Sequence, residues 1–222
     1  MENIQAKKGF DRLAPLYDSL LWLFFGKQLT IAQDYFIERI EDGSSVLILG
    51  GGTGKSLSGL IKGQSFSAIT FLDISSGMIT KAKEYLERNH PEQLGKITFL
   101  QGTYENLPAS EKYHVIITPF VLDCLDDKVL GTTLTALYCK LEHEGQWLFT
   151  DFNVPSRSFF TRWLSKGVIL SLYLFFNLFC NLRRHQLPDF SKHFSRLFVQ
   201  PQDSNYFLKG LLVTQLYIKS AT

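Results

Sequence analysis

The stretch Leu49-Gly50-Gly51-Gly52-Thr53-Gly54-Lys55 follows the short apolar run 45–49, which is typical of a strand buried on both faces. Glycines at 50, 52 and 54 let the backbone turn sharply from a strand into a helix, and a ligand can approach them without a Cβ in the way. Exposed N–H groups at the start of a helix favour a carboxylate or a phosphate. The stretch therefore predicts a ligand-binding turn between the first strand and the helix that follows it.

An acidic residue follows this turn at the distance that a doubly wound sheet requires. Asp73 lies nineteen residues after Gly54 and directly follows the second apolar run, 68–72. In a doubly wound sheet, the carboxyl end of that strand faces the same crevice as the glycine turn. A carboxylate there can accept hydrogen bonds from two ribose hydroxyls. The two features together predict a site for a cofactor that contains a nucleoside.

Three classes of cofactor site use this arrangement, and the glycine spacing separates them. A P-loop that ends in Gly54-Lys55-Ser56 would need glycine at position 49, where the chain has Leu49. A dinucleotide fingerprint would need glycine or alanine at Lys55 or at Leu57. Both patterns fail. The spacing that remains, GxGxG, is that of a loop that binds S-adenosylmethionine (SAM).

Strand and helix signals alternate along residues 45–151, which predicts a parallel sheet with helices on both faces. Helices are also expected near 10–17 and over 30–40. The runs that we interpret as strands are 45–49, 68–72, 96–101, 113–118, 145–151, 204–209 and 211–219. The last two are joined too tightly for a helical crossover, so we expect them to be antiparallel. The expected helix caps are Ser75 or Ser76 and Asp126 or Asp127.

Taken together, these motifs resemble those of the class I SAM-dependent methyltransferases, in particular the branch of ubiquinone and menaquinone biosynthesis. The resemblance runs from Phe10 to about Phe152. Its segments are the helix 10–18 (FDRLAPLYD), motif I at 46–54, Asp73-Ile74-Ser75 with Met78, the adenine loop 101–108 (QGTYENLP), motif IV at 117–122 (ITPFVL) and the strand 145–152. It implies a Rossmann-like α/β fold with a seven-stranded, mostly parallel sheet, an antiparallel last strand, N-terminal helices and an apolar helical insertion before the last two strands.

The resemblance also implies which residues bind SAM. The glycine turn would hold the methionine part, Asp73 the ribose, and Ile74 one face of the adenine. Thr103 and Tyr104 would lie near the adenine edge. Thr118, Pro119 and Phe120 would lie beside the methyl donor, and Tyr17 would cap the site. The implied cofactor-binding set is Gly50, Gly51, Gly52, Thr53, Gly54, Asp73, Ile74, Met78, Thr103, Tyr104, Thr118, Pro119 and Tyr17.

Two positions depart from the family pattern. Motif I usually carries an acid two residues before its first glycine, where this chain has Ile48, and the adenine loop usually carries Asp where it has Thr103. Loss of one charge-assisted hydrogen bond weakens binding by roughly 1.5–3 kcal/mol. A SAM-fold protein that regulates or scaffolds a partner without turnover therefore stays open as an alternative. A nicotinamide oxidoreductase is a weaker alternative, because both glycine patterns fail.

Composition narrows the setting of the protein. The chain has 222 residues and a formal net charge of +2, which is not the strong basic footprint of a nucleic-acid-binding protein. The basic patch at 183–185 (RRH) is interpreted as a solvated helix end. Three separated cysteines, Cys124, Cys139 and Cys180, show neither a disulfide framework nor a metal-ligand spacing. We expect a soluble, cytoplasmic protein without a metal.

One apolar segment complicates that setting. Residues 167–182 (GVILSLYLFFNLFCNL) contain no charge, but a membrane-spanning helix needs about 20 apolar residues. We interpret the segment as a buried helix or an apolar lid, with peripheral membrane contact through 159–182 as the second option. Its aromatic content favours a small hydrophobic methyl acceptor, such as a quinone precursor or a lipid. We expect one domain, monomeric or homodimeric, divided into a cap (1–42), a SAM-binding core (43–152), a helical lid (153–200) and a terminal strand pair (201–222).

The sequence identifies no catalytic residue. Methyl transfer from SAM mainly requires alignment of the nucleophile with the methyl group and exclusion of water. A base is needed only if the acceptor must lose a proton. Asp123, His114, His143 and Tyr17 are candidates for that base by residue type alone.

Overall fold

In the computed structural model, which describes residues 2–155, 159–182 and 186–220, seven strands form one sheet. The strands are β1 (Ser44–Leu49), β2 (Phe66–Asp73), β3 (Ile97–Gln101), β4 (Tyr113–Pro119), β5 (Leu141–Phe152), β6 (Asp203–Phe207) and β7 (Leu212–Ile218). Their order across the sheet is β3-β2-β1-β4-β5-β7-β6. Strands β1 to β5 pair in parallel, and β7 runs antiparallel to both β5 and β6. The predicted sheet and its antiparallel last strand are confirmed.

The helices cover both faces and one edge of this sheet. They are α1 (Glu2–Phe25), α2 (Gln28–Asp34), α3 (Lys55–Gly63), α4 (Ser76–Asn89), α5 (Asp127–Lys140), α6 (Phe159–Cys180) and α7 (Phe190–Phe194). Ser75 caps α4 by accepting a hydrogen bond from the Met78 backbone N at 3.1 Å, and Asp126 caps α5 through the N–H groups of Lys128 and Val129. In each predicted pair, the first residue is therefore the helix cap: Ser75 for α4 and Asp126 for α5.

Two predicted elements are shorter than the sequence pattern suggested. The helix expected over 30–40 ends at Asp34, where the ring of Tyr35 packs against that of Phe207 with centroids 5.5 Å apart, and a short 3-10 turn follows at Ile37–Arg39. The strand expected over 204–209 ends at Phe207. Leu208 and Lys209 adopt positive φ angles of 49° and 57°, so the backbone leaves the extended conformation there.

The core lies on both sides of the sheet because the strands alternate their side chains. Val46 and Ile48 of β1 pack with α3 and α4 on one face, and Leu47 and Leu49 pack with α5 and α7 on the other. A third cluster lies at the β7 side, where Phe25 of α1 meets residues of α2, α6 and β7. Helix α1 passes over the carboxyl ends of β1 and β2, where it bonds to Thr53 and Ser75, which follow these strands.

Candidate active site

A cavity of about 600 Å³ lies over the carboxyl ends of β1, β2 and β4. In open α/β sheets, this edge is where ligands bind. The structure brings most of the predicted site residues together in its wall: Tyr17, Gly50, Gly51, Gly52, Thr53, Asp73, Ile74, Met78, Thr103, Tyr104 and Pro119. Gly54 and Thr118 do not line it.

The glycine turn is shaped by close packing as well as by the space that a ligand needs. A Cβ on Gly50 would lie 2.3 Å from Val121 Cγ2, and Gly50 has a φ of 71°. At Gly52, with a φ of 60°, the nearest atom to an added Cβ would be Tyr17 Cε1 at 3.7 Å, so this position faces the cavity. Gly54 differs, because its Cβ would lie 2.8 Å from the Ala82 backbone. Its glycine serves the packing of the turn on α4 and not direct contact with a ligand.

The carboxylate of Asp73 is held toward the glycine turn. Its Oδ1 accepts a hydrogen bond from the Ser75 backbone N at 2.9 Å, and its Oδ2 accepts one from the Gly52 backbone N at 3.3 Å. Burial raises the pKa of Asp73 to about 6, against the lowering effect of these two bonds. At neutral pH the group is therefore an oriented carboxylate with lone pairs left to accept hydroxyl donors.

The adenine loop explains one of the departures seen in the sequence. Thr103 stands where the family usually has Asp, and its hydroxyl accepts a bond from the Glu105 backbone N at 3.4 Å. In return, the Asn106 side chain accepts a bond from the Thr103 backbone N at 2.9 Å. This capping box fixes the 3-10 turn Tyr104–Asn106. Thr103 lines the cavity, while its hydroxyl serves the turn.

Thr118 is not beside the cavity, contrary to the expectation from motif IV. Its side chain is fully buried, and its hydroxyl accepts a hydrogen bond from Trp147 Nε1 at 3.0 Å. Successive residues of a strand point to opposite faces, and this one points into the core shared with Trp147. The following residues behave as expected. Pro119 lines the cavity, and so does Phe120, whose ring packs on Phe152 with centroids 5.3 Å apart.

Two carboxylates of α1 fasten this helix over the cavity. Asp11 Oδ1 accepts hydrogen bonds from Ser75 Oγ at 2.6 Å and from the Gly77 backbone N at 2.9 Å, next to the start of α4. About two turns further along the same face of α1, Asp18 accepts a hydrogen bond from Thr53 Oγ1 at 2.6 Å. Asp18 also pairs with Lys55 at 3.2 Å. Sequence reasoning missed both latches, although both acids lie within the quoted helix 10–18.

The base candidates separate clearly by position. His114 lies at the amino end of β4, where its Nδ1 is 2.8 Å from Ser45 Oγ, and His143 is exposed near the start of β5. Neither histidine lines the cavity. Asp123 and Tyr17 do line it. Burial first, and then the nearby Cys124 and Asp123, raise the pKa of Tyr17 well above its usual value, so its phenol stays neutral.

Asp123 forms one half of a buried acidic pair with Asp151. Asp151 Oδ2 accepts a hydrogen bond from the Asp123 backbone N at 3.2 Å, and its Oδ1 accepts one from the Phe152 backbone N at 2.8 Å. Asp151 is fully buried and Asp123 is 5% exposed. Burial and the charge of Asp123 raise the pKa of Asp151 well above its usual value. Asp151 therefore favours its protonated form beside Asp123, and Asp123 is the member of the pair that lines the cavity wall.

Comparison with known proteins finds a matching domain family and similar curated proteins. Residues 46–145 match a family described as a methyltransferase domain. The chain is similar to a malonyl-[acyl-carrier protein] O-methyltransferase of Priestia megaterium, with 29% identity over 150 residues, which cover 66% of this chain and 50% of the relative. The chain thus spans about half the length of the curated relatives it matches. That relative belongs to another branch than the quinone branch that the sequence motifs favoured.

Solved structures share the fold at low sequence identity. The methyltransferase in the complex with the Haloferax volcanii Trm112 activator gives a TM-score of 0.73 at 12% identity, with 98% of each chain covered. The N-methyltransferase NodS of Bradyrhizobium japonicum, in complex with S-adenosyl-L-homocysteine (SAH), gives 0.63 at 12% identity, covering 89% of this chain and 88% of that one. S-adenosylmethionine is the cofactor that the glycine turn and the buried Asp73 fit. The chain has the fold of these solved methyltransferases, and its residues 46–145 match the methyltransferase-domain family.

Proposed function

We propose that the chain transfers a methyl group from SAM to a small, hydrophobic acceptor. The observation that carries the proposal is that one cavity has two chemically different ends. The glycine turn and Asp73 form a polar cradle at one end. The other end is lined by apolar side chains of the cap and of the strand ends: Phe10, Leu21, Trp22, Phe152, Phe176 and Leu182. A cofactor in the cradle would direct its methyl group toward the apolar end.

The chemistry asks the protein for alignment and for exclusion of water. SAM, when bound, supplies a methyl group that its sulfonium already activates. Phe120 and Pro119 form the wall between the cradle and the apolar end, and Tyr17 covers the glycine turn from α1. A carboxylate acceptor would arrive deprotonated and need no base. A phenol or a carbon acid would have to give up a proton to a base, and the carboxylates that line the cavity are Asp18, Asp73, Asp123 and Glu105.

Two observations support different classes of methyl acceptor. The curated relative is a malonyl-[acyl-carrier protein] O-methyltransferase, which favours an acidic acyl acceptor. The apolar end also suits a quinone precursor or a lipid, as the motifs suggested. Lys27 and Lys128 line the cavity and could meet an acidic head group. Transfer of labelled methyl from SAM to malonyl-acyl carrier protein and to a demethylated isoprenoid quinone tests both. Methylation of neither, by a protein that binds SAM, would contradict the enzymatic proposal.

Asp123 is proposed to replace the acid that motif I lacks. Ile48, at the family's usual acid position, is buried in the core and cannot reach a ligand. The turn that bears Asp123 touches the glycine turn, since an added Gly50 Cβ would lie 2.3 Å from Val121. Asp18 is already paired with Lys55. The place of Asp123 in the cavity wall, next to the glycine turn, supports its role as the carboxylate that receives the ammonium group of the methionine part.

A pair of ligands tests the role of Asp123. SAH carries the amino-acid part, and 5′-methylthioadenosine lacks it. Asp123→Asn should weaken SAH about tenfold or more, the value of a charge-assisted hydrogen bond, and leave methylthioadenosine unchanged. Asp73→Ala is the matched control. Because both ligands contain the ribose, this variant should bind both of them more weakly. Equal affinities of wild type and Asp123→Asn for SAH would contradict the assignment.

A non-catalytic SAM-fold protein is the second candidate. Ile48 and the commitment of the Thr103 hydroxyl to its own turn favour it, because both remove a contact that the family usually makes to SAM. SAM binding without turnover on the acceptors above would support this candidate. The nicotinamide alternative has no support from the domain match.

A further inference from the structure

An apolar stripe runs along the solvent side of α6. Its exposed large side chains lie at 159, 163, 170, 174 and 178, a spacing that keeps them on one side of a helix. Phe159 is 88% exposed, Trp163 68%, Leu174 58% and Leu178 79%. The stripe is about 28 Å long at the helical rise per residue. Surface helices of globular proteins carry polar residues on this side, so the stripe indicates a contact that the described residues do not make.

The other side of α6 is fixed to the protein. Ile169, Leu172 and Tyr173 are buried in the cluster that contains Leu212 of β7. By length and composition, α6 is long and apolar enough to cross a membrane, but only 28% of its most apolar window is buried, which is not the pattern of a core helix. Because α1 and the cluster around Leu212 hold one side of the helix, α6 cannot cross a bilayer by itself. If α6 lies flat on an apolar surface, its buried side keeps its contacts with the protein and its exposed side contacts that surface.

The charges of α6 favour an anionic lipid surface over a second copy of the chain. Arg162 and Lys166 are exposed beside the stripe, and Phe159–Cys180 contains no Asp or Glu. Cations next to an apolar helix face are typical of helices that lie at membrane interfaces. In a two-fold dimer through this stripe, each α6 would offer only cations to the other, with no acid on α6 to pair with them.

Exposed apolar side chains also border the cavity at the carboxyl end of α1. Trp22 of α1 is 66% exposed and also lines the cavity, and its neighbours Leu23 and Phe24 are exposed. Phe176 of α6 and Leu182 line the cavity from the other side. The rings of Phe10 and Phe176 lie 6.1 Å apart, which joins the two helices. An acceptor dissolved in a bilayer would enter between them without passing through water.

We propose that the exposed face of α6, with the carboxyl end of α1, seats on an anionic lipid bilayer and admits a membrane-dissolved acceptor to the cavity. The docking itself stands on the exposed stripe and its cations. The entry of the acceptor rests on the proposed methyl transfer, and it narrows the acceptor class to molecules that partition into lipid.

The three tryptophans provide the test. Trp22 and Trp163 are exposed on the proposed face, and Trp147 is fully buried in the core. The full chain is mixed with vesicles of phosphatidylcholine with brominated acyl chains, with and without phosphatidylglycerol. Bromine should quench Trp22 and Trp163 and spare Trp147, so the variant Trp22→Phe/Trp163→Phe should bind with unchanged fluorescence. Unquenched wild-type fluorescence on both compositions would overturn the proposal.

Surface variants sharpen the result. Leu174→Gln and Leu178→Gln should each lower vesicle partitioning about tenfold, since one large apolar side chain contributes about that factor. Val199→Gln is the control, because Val199 is 91% exposed and lies outside α1 and α6. Arg162→Gln or Lys166→Gln should reduce the preference for phosphatidylglycerol about fivefold.

Two further readouts separate the outcomes. A stable dimer in solution that Trp163→Glu splits, without vesicle binding, would assign the face to a second copy and overturn the proposal. SAH titration of every variant verifies the fold and the cofactor site. Vesicle binding by a chain that fails to bind SAH would leave the docking standing and remove the proposed methyl transfer.

Discussion

The cofactor cradle and the helices that cover it differ in which groups they bury. In the cradle, polar groups are buried and nearly every one has a fixed partner, as with Asp73 between Ser75 and Gly52. In the cap and in α6, apolar groups are exposed, as with Trp22 and Trp163. The difference teaches that polar groups are held in one geometry at the cradle, whereas α1 and α6 leave large apolar side chains without cover from the described residues.

The largest expected effect comes from filling the glycine turn. Gly50→Ala would force a Cβ to 2.3 Å from Val121 at a φ of 71°, so we expect a loss of at least about 2 kcal/mol in the free energy of unfolding and no detectable SAH binding. Gly95→Ala is the matched control, because no atom lies within 4 Å of its added Cβ. Chemical denaturation and calorimetry measure both effects. A Gly50→Ala protein as stable as Gly95→Ala would show that the turn is not tightly packed.

A smaller effect is expected at the joint between the cap and the cradle. Asp34 of α2 packs against Gly59 of α3, and burial raises its pKa to about 6. The folded chain then keeps a proton that the unfolded chain releases between pH 3.8 and about 6, so this group makes stability fall as pH rises through that window. Asp34→Asn should remove a cost of about 2 kcal/mol at pH 8 and change stability little near pH 4.

Denaturation of the Asp34→Asn variant and wild type at both pH values measures this difference. Asp42→Asn is the control, because the carboxylate of Asp42 changes stability with pH in the opposite direction to that of Asp34. Hydrogen bonds from the Ser65 backbone N and hydroxyl hold the pKa of the exposed Asp42 below its usual value, so its contribution is present at pH 8 and is lost as pH falls through that lowered pKa. An Asp34→Asn gain of equal size at both pH values would point to packing and not to the charge.

The smallest expected effect concerns the latch of α1. Asp18→Asn keeps the shape of the side chain but removes the ion pair with Lys55 and weakens the bond from Thr53. Because the pair is partly exposed, we expect SAH affinity to fall only about two- to fivefold. Lys81→Gln, which removes the comparable surface pair with Glu84 on α4, is the control and should leave SAH affinity unchanged. A loss above a hundredfold would mean that α1 forms part of the cradle itself.

Local signals made the cradle predictable from the sequence. The glycine spacing and the acid at the end of β2 depend on a few consecutive residues, and the caps at Ser75 and Asp126 depend on single turns. The error at Thr118 shows where such signals end. Motif IV locates the end of β4, but it does not show that the hydroxyl of Thr118 faces the core, where it accepts a hydrogen bond from Trp147, 29 positions away in the sequence.

The cap depended on contacts between distant segments and was harder to predict. Asp11 reaches residues more than sixty positions away, which no spacing rule reveals. The apolarity of α6 predicted either burial or membrane contact; one side of the helix is buried in the core, and the other side exposes apolar side chains. The basic patch at 183–185 lies outside the described residues.

Calorimetric titration of SAH into the wild-type chain and into Asp73→Ala tests the central claim most directly. We predict micromolar binding by wild type that strengthens as pH rises through about 6, where Asp73 becomes charged, and a loss of tenfold or more with no such pH dependence in Asp73→Ala. Absence of heat with a folded wild-type chain, or equal affinities of the two proteins, would contradict the assignment of this cavity to SAM.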